Sequence, residues 1–296
     1  MRIGLHGRHF PASTARLVTG ILERMKAAGA EPVLEKGLAR HMQRLGVPPG
    51  ADVPLTASAA EGQVDLWVSL GGDGSFLDTV AFVGRSGIPV LGINLGRLGF
   101  LSNTRLEDVD RTVQAVLDGR WTIEERGLLA LHGVEAFAGA TALNEVSIHK
   151  RDGAAMITVH ARLDGRYLNT YWVDGLLIAT PTGSTAYSLS CGGPILAPES
   201  DAMVITPIAP HNLNVRPFVV PGGSRISLNV DTRGEKYLVN MDSRSVVLAE
   251  RKELLVHGAD HKVRLVQLVG QDFLDTLRSK LSWGLDVRSG RMEDGA

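Results

Sequence analysis

The stretch that most constrains the fold is VDLWVSLGGDGSFLDTVAFV, residues 64–83. Val64, Leu66, Trp67, Val68 and Leu70 form a nearly unbroken apolar run, which reads as a strand buried on both faces. Gly71-Gly72-Asp73-Gly74-Ser75 interrupts it, after which Phe76, Leu77, Val80 and Val83 recur at helical spacing. The pattern predicts strand, tight turn and helix, with Ser75 as the helix N-cap. Glycines at 71, 72 and 74 permit positive φ and close approach of a ligand to the backbone. A helix N-terminus suits phosphate, whereas Asp73 suits a hydroxyl proton or a bound cation. Both features in one loop point to phosphoryl transfer to a hydroxyl. The loop has neither the lysine of GxxxxGK(S/T) nor the spacing of GxGxxG, and taken alone it reads more readily as a structural turn.

A second stretch shifts that balance. Asp174-Gly175 and an apolar strand at 176–179 lead into Thr180-Pro181-Thr182-Gly183-Ser184-Thr185-Ala186-Tyr187-Ser188, then Ser190 and Gly192-Gly193. Six Ser and Thr hydroxyls within residues 180–190 exceed what packing would ask for. Hydroxyls and free amides recognise ribose diols, amides and phosphates without charge.

With GGDGS at 71–75, GINLGRLGFL at 92–101, Asn144-Glu145 and the block 174–194, the chain resembles the bacterial NAD kinases over most of its length. The resemblance implies the NAD kinase/diacylglycerol kinase-like fold and phosphorylation of the adenosine 2′-hydroxyl of NAD by ATP. It also implies a divalent metal, Mg²⁺ or Mn²⁺, carried on ATP, and a homodimer or homotetramer. By the same resemblance Asp73 is the general base, and the free amides of the turn make Gly71, Gly72, Gly74 and Ser75 the phosphate loop for ATP. The dinucleotide contacts it implies are Asp73, Gly74, Asn144, Glu145, Asp174, Thr185, Ala186, Tyr187, Ser188, Ser190 and Ala209, with the dinucleotide between the GGDG turn and the second domain. Departures from the family pattern are Ser75 for Thr, Ser243-Arg244 for Gly-Gln after Asp242, and Ala155 and Trp172 where some relatives carry His or Arg. Lipid kinases acting on diacylglycerol or sphingosine share the GGDG turn and the two-domain plan. Residues 180–190 with Asn144-Glu145 favour a polar dinucleotide over them, and a non-catalytic NAD(P) sensor would keep the same binding residues.

Taken in order, the chain predicts a strand at 2–5 and a helix capped by Ser13 with Leu17, Val18, Ile21, Leu22 and Met25 on one face. A strand at 32–35, a helix over 37–45 and a loop over 47–62 follow. The strand at 88–95 and the helix at 106–117 with Gly119 at its end complete an alternating β/α half. This is a doubly wound, Rossmann-like α/β domain over 1–121, whose ligands sit at the carboxyl ends of strands, where the GGDG turn falls. After Trp121 short apolar runs at 143–149, 156–163, 167–173, 203–207, 215–220, 226–230, 246–249, 254–256 and 263–268 predict a β-rich sandwich domain over 122–270. Residues 271–296 read as a helix at 272–281, packing back on the first domain, and a polar tail.

Net charge is −1, with no basic cluster, which argues against nucleic acid as a partner. No run reaches the length of a membrane span and no basic amphipathic face suits a membrane surface. The single Cys191 fits a reducing compartment, so a cytoplasmic protein is expected, and the thiol reads as a small packing residue. Of the nine histidines, His6/His9 and His257/His261 have ligand-like spacing but lack a third partner, and are read as structural or solvated. His211 and Asn212 are weaker site candidates in the 208–217 loop. Neither 71–84 nor 174–197 contains Lys or Arg, so neutralisation of phosphoryl charge falls to the metal and backbone amides, with Arg97 as a possible helper.

Overall fold

The computed structural model describes residues 1–8, 10–96, 99–102, 104–151, 155–232, 236–249, 251–270, 272–283, 285–286 and 291–292. The chain divides into two compact units: Met1–Thr79, Ile88–Glu124 and Leu265–Ala296 form the first, and Val80–Gly87 with Glu125–Arg264 the second.

The first unit alternates strand and helix: β1 (Arg2–Gly7), α1 (Ala12–Ala27), β2 (Glu31–Glu35), α2 (Lys36–Arg44), β3 (Leu55–Thr56), β4 (Leu66–Leu70), α3 (Asp73–Val83, which runs on into the second unit), β5 (Val90–Asn94), β6 (Thr104–Arg105) and α4 (Val109–Leu117). The strands pair in parallel in the order β3-β2-β1-β4-β5. Every residue of β4 and β5 is buried, the pattern that a parallel sheet covered on both faces imposes. Ile3, Leu5, Leu34, Leu66, Val68 and Ile93 pack with Val18, Ile21, Leu22 and Met25 of α1 and with Val109, Val113 and Val116 of α4 in one core.

Several local expectations are corrected. α1 begins at Ala12 after Pro11, whose φ of −70° suits a helix start, so Ser13 lies inside the helix rather than capping it. α3 begins at Asp73, which places Ser75 within its first turn. Of the three glycines in the turn, only Gly71 uses a positive φ (136°). The loop 47–62 contains the short strand β3.

The second unit is almost wholly antiparallel: β7 (Trp121–His132, which starts in the first unit), β8 (Thr141–Ala142), β9 (Glu145–Lys150), β10 (Ile157–Leu163), β11 (Arg166–Val173), β12 (Gly175–Ala179), the short helix α5 (Tyr187–Ser190), β13 (Ala202–Ile208), β14 (Phe218–Pro221), β15 (Arg225–Asp231), β16 (Tyr237–Met241), β17 (Arg244–Leu248) and β18 (Glu253–Leu268). One set pairs β11-β10-β15-β18, the other β14-β13-β12-β9-β16-β17. Val159, Val173, Leu228 and Val256 of the first set share a core with Ile148, Ile178, Ile205 and Val239 of the second, which makes a sandwich. The runs at 254–256 and 263–268 belong to one strand, β18, whose middle is polar and only partly buried. β7 and β16 were not foreseen as strands. The last residues of β18 belong to the first unit, where Leu265 pairs in parallel with Val90, and α6 (Phe273–Leu281) follows, capped by Asp272. No helix among the described residues is long and apolar enough to cross a membrane.

Candidate active site

In the first unit, β4 delivers the chain to Gly71, whose N–H bonds Ile93 O at 3.0 Å and anchors the turn to β5. The turn then opens α3, whose first-turn N–H groups have no intrahelical acceptor and face outward as an anion-binding end. Asp73 stands in that first turn. Its carboxylate accepts backbone N–H bonds from Phe100 at 2.8 Å, Leu101 at 3.0 Å and Ser102 at 3.0 Å. A carboxylate has about four lone-pair directions, so roughly one remains open. The approach is so close at Gly99 that a Cβ there would collide with the Asp73 carboxylate. Gly72 and Gly74 have open space at the Cβ position, which leaves the turn accessible. Arg97 lies outside the described residues.

In the second unit, Asn144 and Glu145 sit where β9 begins, held from two sides. From the β16–β17 turn, the Asp242 carboxylate accepts N–H bonds from Leu143 at 2.8 Å, Asn144 at 2.8 Å and Glu145 at 3.2 Å. From the end of β12, the Thr180 N–H donates to Asn144 O at 2.9 Å and the Thr180 hydroxyl to Leu143 O at 2.5 Å. Gly183 packs directly on Asn144, and any side chain there would overlap the Asn144 carbonyl. The backbone of 143–145 is therefore fully engaged, but Asn144 Oδ1 and Glu145 Oε2 are buried without a partner. Burial, reinforced by the Asp242 charge, lifts the Glu145 carboxyl to a pKa of about 7. Burial likewise pushes the Asp242 carboxyl up, against the three N–H donors that pull it down.

The hydroxyl-rich loop is mostly engaged with itself, which corrects the expectation that its hydroxyls exceed structural need. Ser184 Oγ donates to Pro181 O at 2.6 Å and accepts from Leu196 N at 2.9 Å. Thr185 Oγ1 donates to Thr182 O at 3.1 Å, and Ser188 Oγ, fully buried, bonds Thr206 Oγ1 at 2.8 Å. These bonds satisfy a tight 3₁₀ turn that has no ladder partners of its own. What the loop presents outward is Tyr187, 40% exposed, with Ala186 and the exposed Ser190. Tyr187 stacks on His149 at 5.7 Å between ring centroids, and His149 Nε2 is 2.9 Å from Ser147 Oγ. Burial pushes the His149 pKa down, which favours a neutral ring there. Asp174 lies between β11 and β12 and pairs with Lys150 at 2.7 Å. Ala209 is exposed with φ 45°, a left-handed conformation that a non-glycine residue holds only where its surroundings impose it.

Some participants were invisible in the local stretches. Arg126, buried on β7, donates from Nη1 to Thr182 Oγ1 at 3.1 Å, and Lys150 reaches Asp174, so cations are brought from elsewhere to the stretch that contains none. Asp242 and the 100–102 amides were likewise not assigned a part in the site. His6 bonds Thr79 Oγ1 at 2.8 Å, His257 stacks on His132 at 5.0 Å, and His9 lies outside the described residues. His211 and Asn212 are exposed. Among the described residues no three His, Cys, Asp or Glu side chains are grouped to hold a metal. Cys191 packs beside Leu177, Ala179 and Val204, and burial raises its thiol pKa.

Residues 27–121 match the ATP-NAD kinase N-terminal domain and residues 143–268 the ATP-NAD kinase C-terminal domain. The chain is 40% identical over 292 residues to the NAD kinase of Cytophaga hutchinsonii, covering 98% of this chain and 100% of the relative. It is 42% identical over 294 residues to that of Flavobacterium johnsoniae, again covering 98% and 100%. Among solved structures, yeast NADH kinase complexed with NADH shares the fold at TM-score 0.83 and 24% identity, over 98% of this chain and 90% of that one. An NAD kinase from Archaeoglobus fulgidus in complex with ATP does so at TM-score 0.74 and 24% identity, over 95% and 99%. Two family domains in the right order, and relatives matched from end to end, make this chain a member of the ATP-NAD kinase family and an enzyme, a phosphotransferase.

Proposed function

We propose that the chain transfers the γ-phosphoryl group of ATP to the adenosine 2′-hydroxyl of NAD, giving NADP. The observation that carries this reading is the pair of buried acceptors, Asn144 Oδ1 and Glu145 Oε2, on a backbone clamped by Asp242 and Thr180. Unpartnered buried acceptors cost free energy until a ligand donates to them, and a ribose diol or a carboxamide does so. Tyr187, backed by His149, offers a flat apolar face to a base, and Asp174 with Ser190 contributes polar contacts.

In this reading the open lone pair of Asp73 accepts the 2′-hydroxyl proton as the oxygen attacks the γ-phosphorus, and the three amides that hold the carboxylate fix its direction. The N–H groups of Gly72, Gly74 and Ser75 receive the phosphates, while that of Gly71, expected among them, is spent on Ile93 O. A divalent cation, Mg²⁺ or Mn²⁺, carried on ATP would neutralise phosphate charge during the transfer. Arg126 steadies the 182–185 turn through Thr182 Oγ1. The family resemblance also supports a homodimer or homotetramer, and the lone Cys191 a reducing, cytoplasmic setting. Light scattering of the purified protein reads the assembly state directly.

The decisive experiment incubates the protein with ATP, Mg²⁺ and NAD and couples the product to an NADP-specific dehydrogenase. We expect NADP formation that chelation of the metal abolishes and that Asp73→Asn lowers roughly 10²–10⁴-fold in kcat. Asparagine places an NH₂ group against backbone N–H donors, so amide exchange at Phe100, Leu101 and Ser102 must be measured alongside. Protected amides with lost turnover assign the base. Near-normal turnover removes it, and NAD binding without NADP formation favours a sensor.

A further inference from the structure

Asp242 is an ionisable residue in a backbone conformation that suits glycine, at φ 50°. Aspartate tolerates that conformation better than most residues with a Cβ, yet it is a carboxylate rather than a glycine that stands at this hairpin turn. Its bonds explain why. Three consecutive N–H groups, Leu143 to Glu145, converge on its two oxygens, and its own N–H returns to Glu145 O at 3.0 Å. Four hydrogen bonds tie one residue to one tripeptide. An amide side chain cannot replace it, because its NH₂ would meet at least one of those N–H donors.

The same placement sets a charge beside Glu145. The titratable groups facing Glu145 are Asp242 from the β16–β17 turn, Tyr187 of α5 and Cys191 just after it, while its partner on β12 is Ala179. Arg244, the nearest cation in sequence, donates to the Thr141 and Met241 carbonyls at 2.5 Å and 3.3 Å, and its charge favours the ionised Asp242. Glu145 is thus half-buried beside an anion with its buried Oε2 unpartnered, surroundings that favour its neutral acid. A ligand that donates hydroxyl groups reverses this, because hydrogen bonds to the carboxylate favour the ionised form.

We infer that Asp242 is a positioning residue that both fixes the 143–145 backbone and keeps a proton on Glu145, and that the dinucleotide's hydroxyls displace this proton when they bind. The inference rests on the reading of Asn144 and Glu145 as dinucleotide contacts. The balance is simple: the Glu145 O–H bond breaks, the proton passes to buffer, and the freed oxygen accepts the hydroxyl's hydrogen bond. NAD affinity therefore rises with pH through about 7 and levels off above it.

The test is calorimetry of NAD binding at pH 6.5 in buffers of different ionisation enthalpy, which counts protons released. Wild-type protein is expected to release up to one proton per NAD and Glu145→Gln none. Asp242→Asn is expected to release far less, because Glu145 ionises earlier, and to raise the KM for NAD roughly 10- to 100-fold with a smaller effect on kcat. Buffer-independent heats in the wild type overturn the inference. If Asp242→Asn does not fold, the contrast between wild type and Glu145→Gln still decides. If NAD does not bind at all, the dinucleotide reading fails, and infrared spectra of the ligand-free protein decide the remaining point. A protonated-carboxyl band present at pH 6 and missing in Glu145→Gln supports the proton on Glu145, and its absence from both overturns it.

Discussion

Asp73 and Asp242 use one device in separate units: each carboxylate gathers the N–H groups of three successive residues, 100–102 and 143–145. In each unit a glycine fits where a methyl group would collide, Gly99 against the Asp73 carboxylate and Gly183 against the Asn144 backbone that Asp242 holds. Gly183→Ala is expected to displace residues 144 and 145 and raise the KM for NAD at least tenfold, read in steady-state assays, with kcat less affected. Titration acts at this scale too. His6, largely buried, has its pKa lowered to about 4 from 6.5, mainly by desolvation. The unfolded chain takes that proton near pH 6.5 and the native chain only near 4, so the stability His6 confers is complete above 6.5 and is lost as pH falls toward 4. At about 1.4 kcal/mol per pKa unit the loss approaches about 3 kcal/mol, and His6→Gln should flatten the denaturant midpoints between pH 7 and 4.5. In the sequence, Asp73, Asn144 and Glu145 were singled out by the family motifs that contain them. Their holders were not, because a backbone N–H has the same chemistry at every residue and Leu143 stands 99 positions from Asp242.

At the scale of elements, strands buried on both faces or alternating cleanly were readable, since β4, β5, β12 and β15 each carry their burial pattern in the residue types. β18 was not, because the polar segment around His257–His261 interrupts the apolar period while the ladder to β15 runs through Arg225↔His257. Helix starts depend on capping chemistry that differs from helix to helix. α6 takes Asp272, whose carboxylate accepts from Leu274 N at 2.9 Å, but α2 takes Glu35, whose longer side chain reaches back to Gly37 N at 2.6 Å and Leu38 N at 2.8 Å. A glutamate is an uncommon cap, and nothing in the local pattern marks it. Glu35→Ala is expected to destabilise the first unit by about 1 kcal/mol, measurable as a shift in chemical denaturation midpoint with an unchanged slope. A shift within error would mean that water replaces both bonds without loss.

For the whole molecule, the change of rhythm near Trp121 was visible because period and residue type change together there. The interleaving was not, since the pairing of Val90 with Leu265 has no local signature. The first unit is assembled from three stretches of chain, and its last contributes Val266 to the core and Gln267 Nε2 to Glu124 at 2.5 Å. Truncation after Arg264 is therefore expected to lower the melting temperature of the first unit and to strip hydrogen-exchange protection from the Val90 end of β5; unchanged exchange there would show that the parallel pairing adds little. The same pairing bears on how the protein is made. On a ribosome adding about 5–20 residues per second, roughly 10–35 s separate the emergence of Val90 from that of Leu265. Through that interval the Val90 end of β5, the part of its edge that β6 does not cover, awaits its own carboxyl-terminal strand, the kind of edge that other chains pair with. Elongation rate and chaperone supply, rather than final stability alone, should then govern how much of this protein reaches its native state.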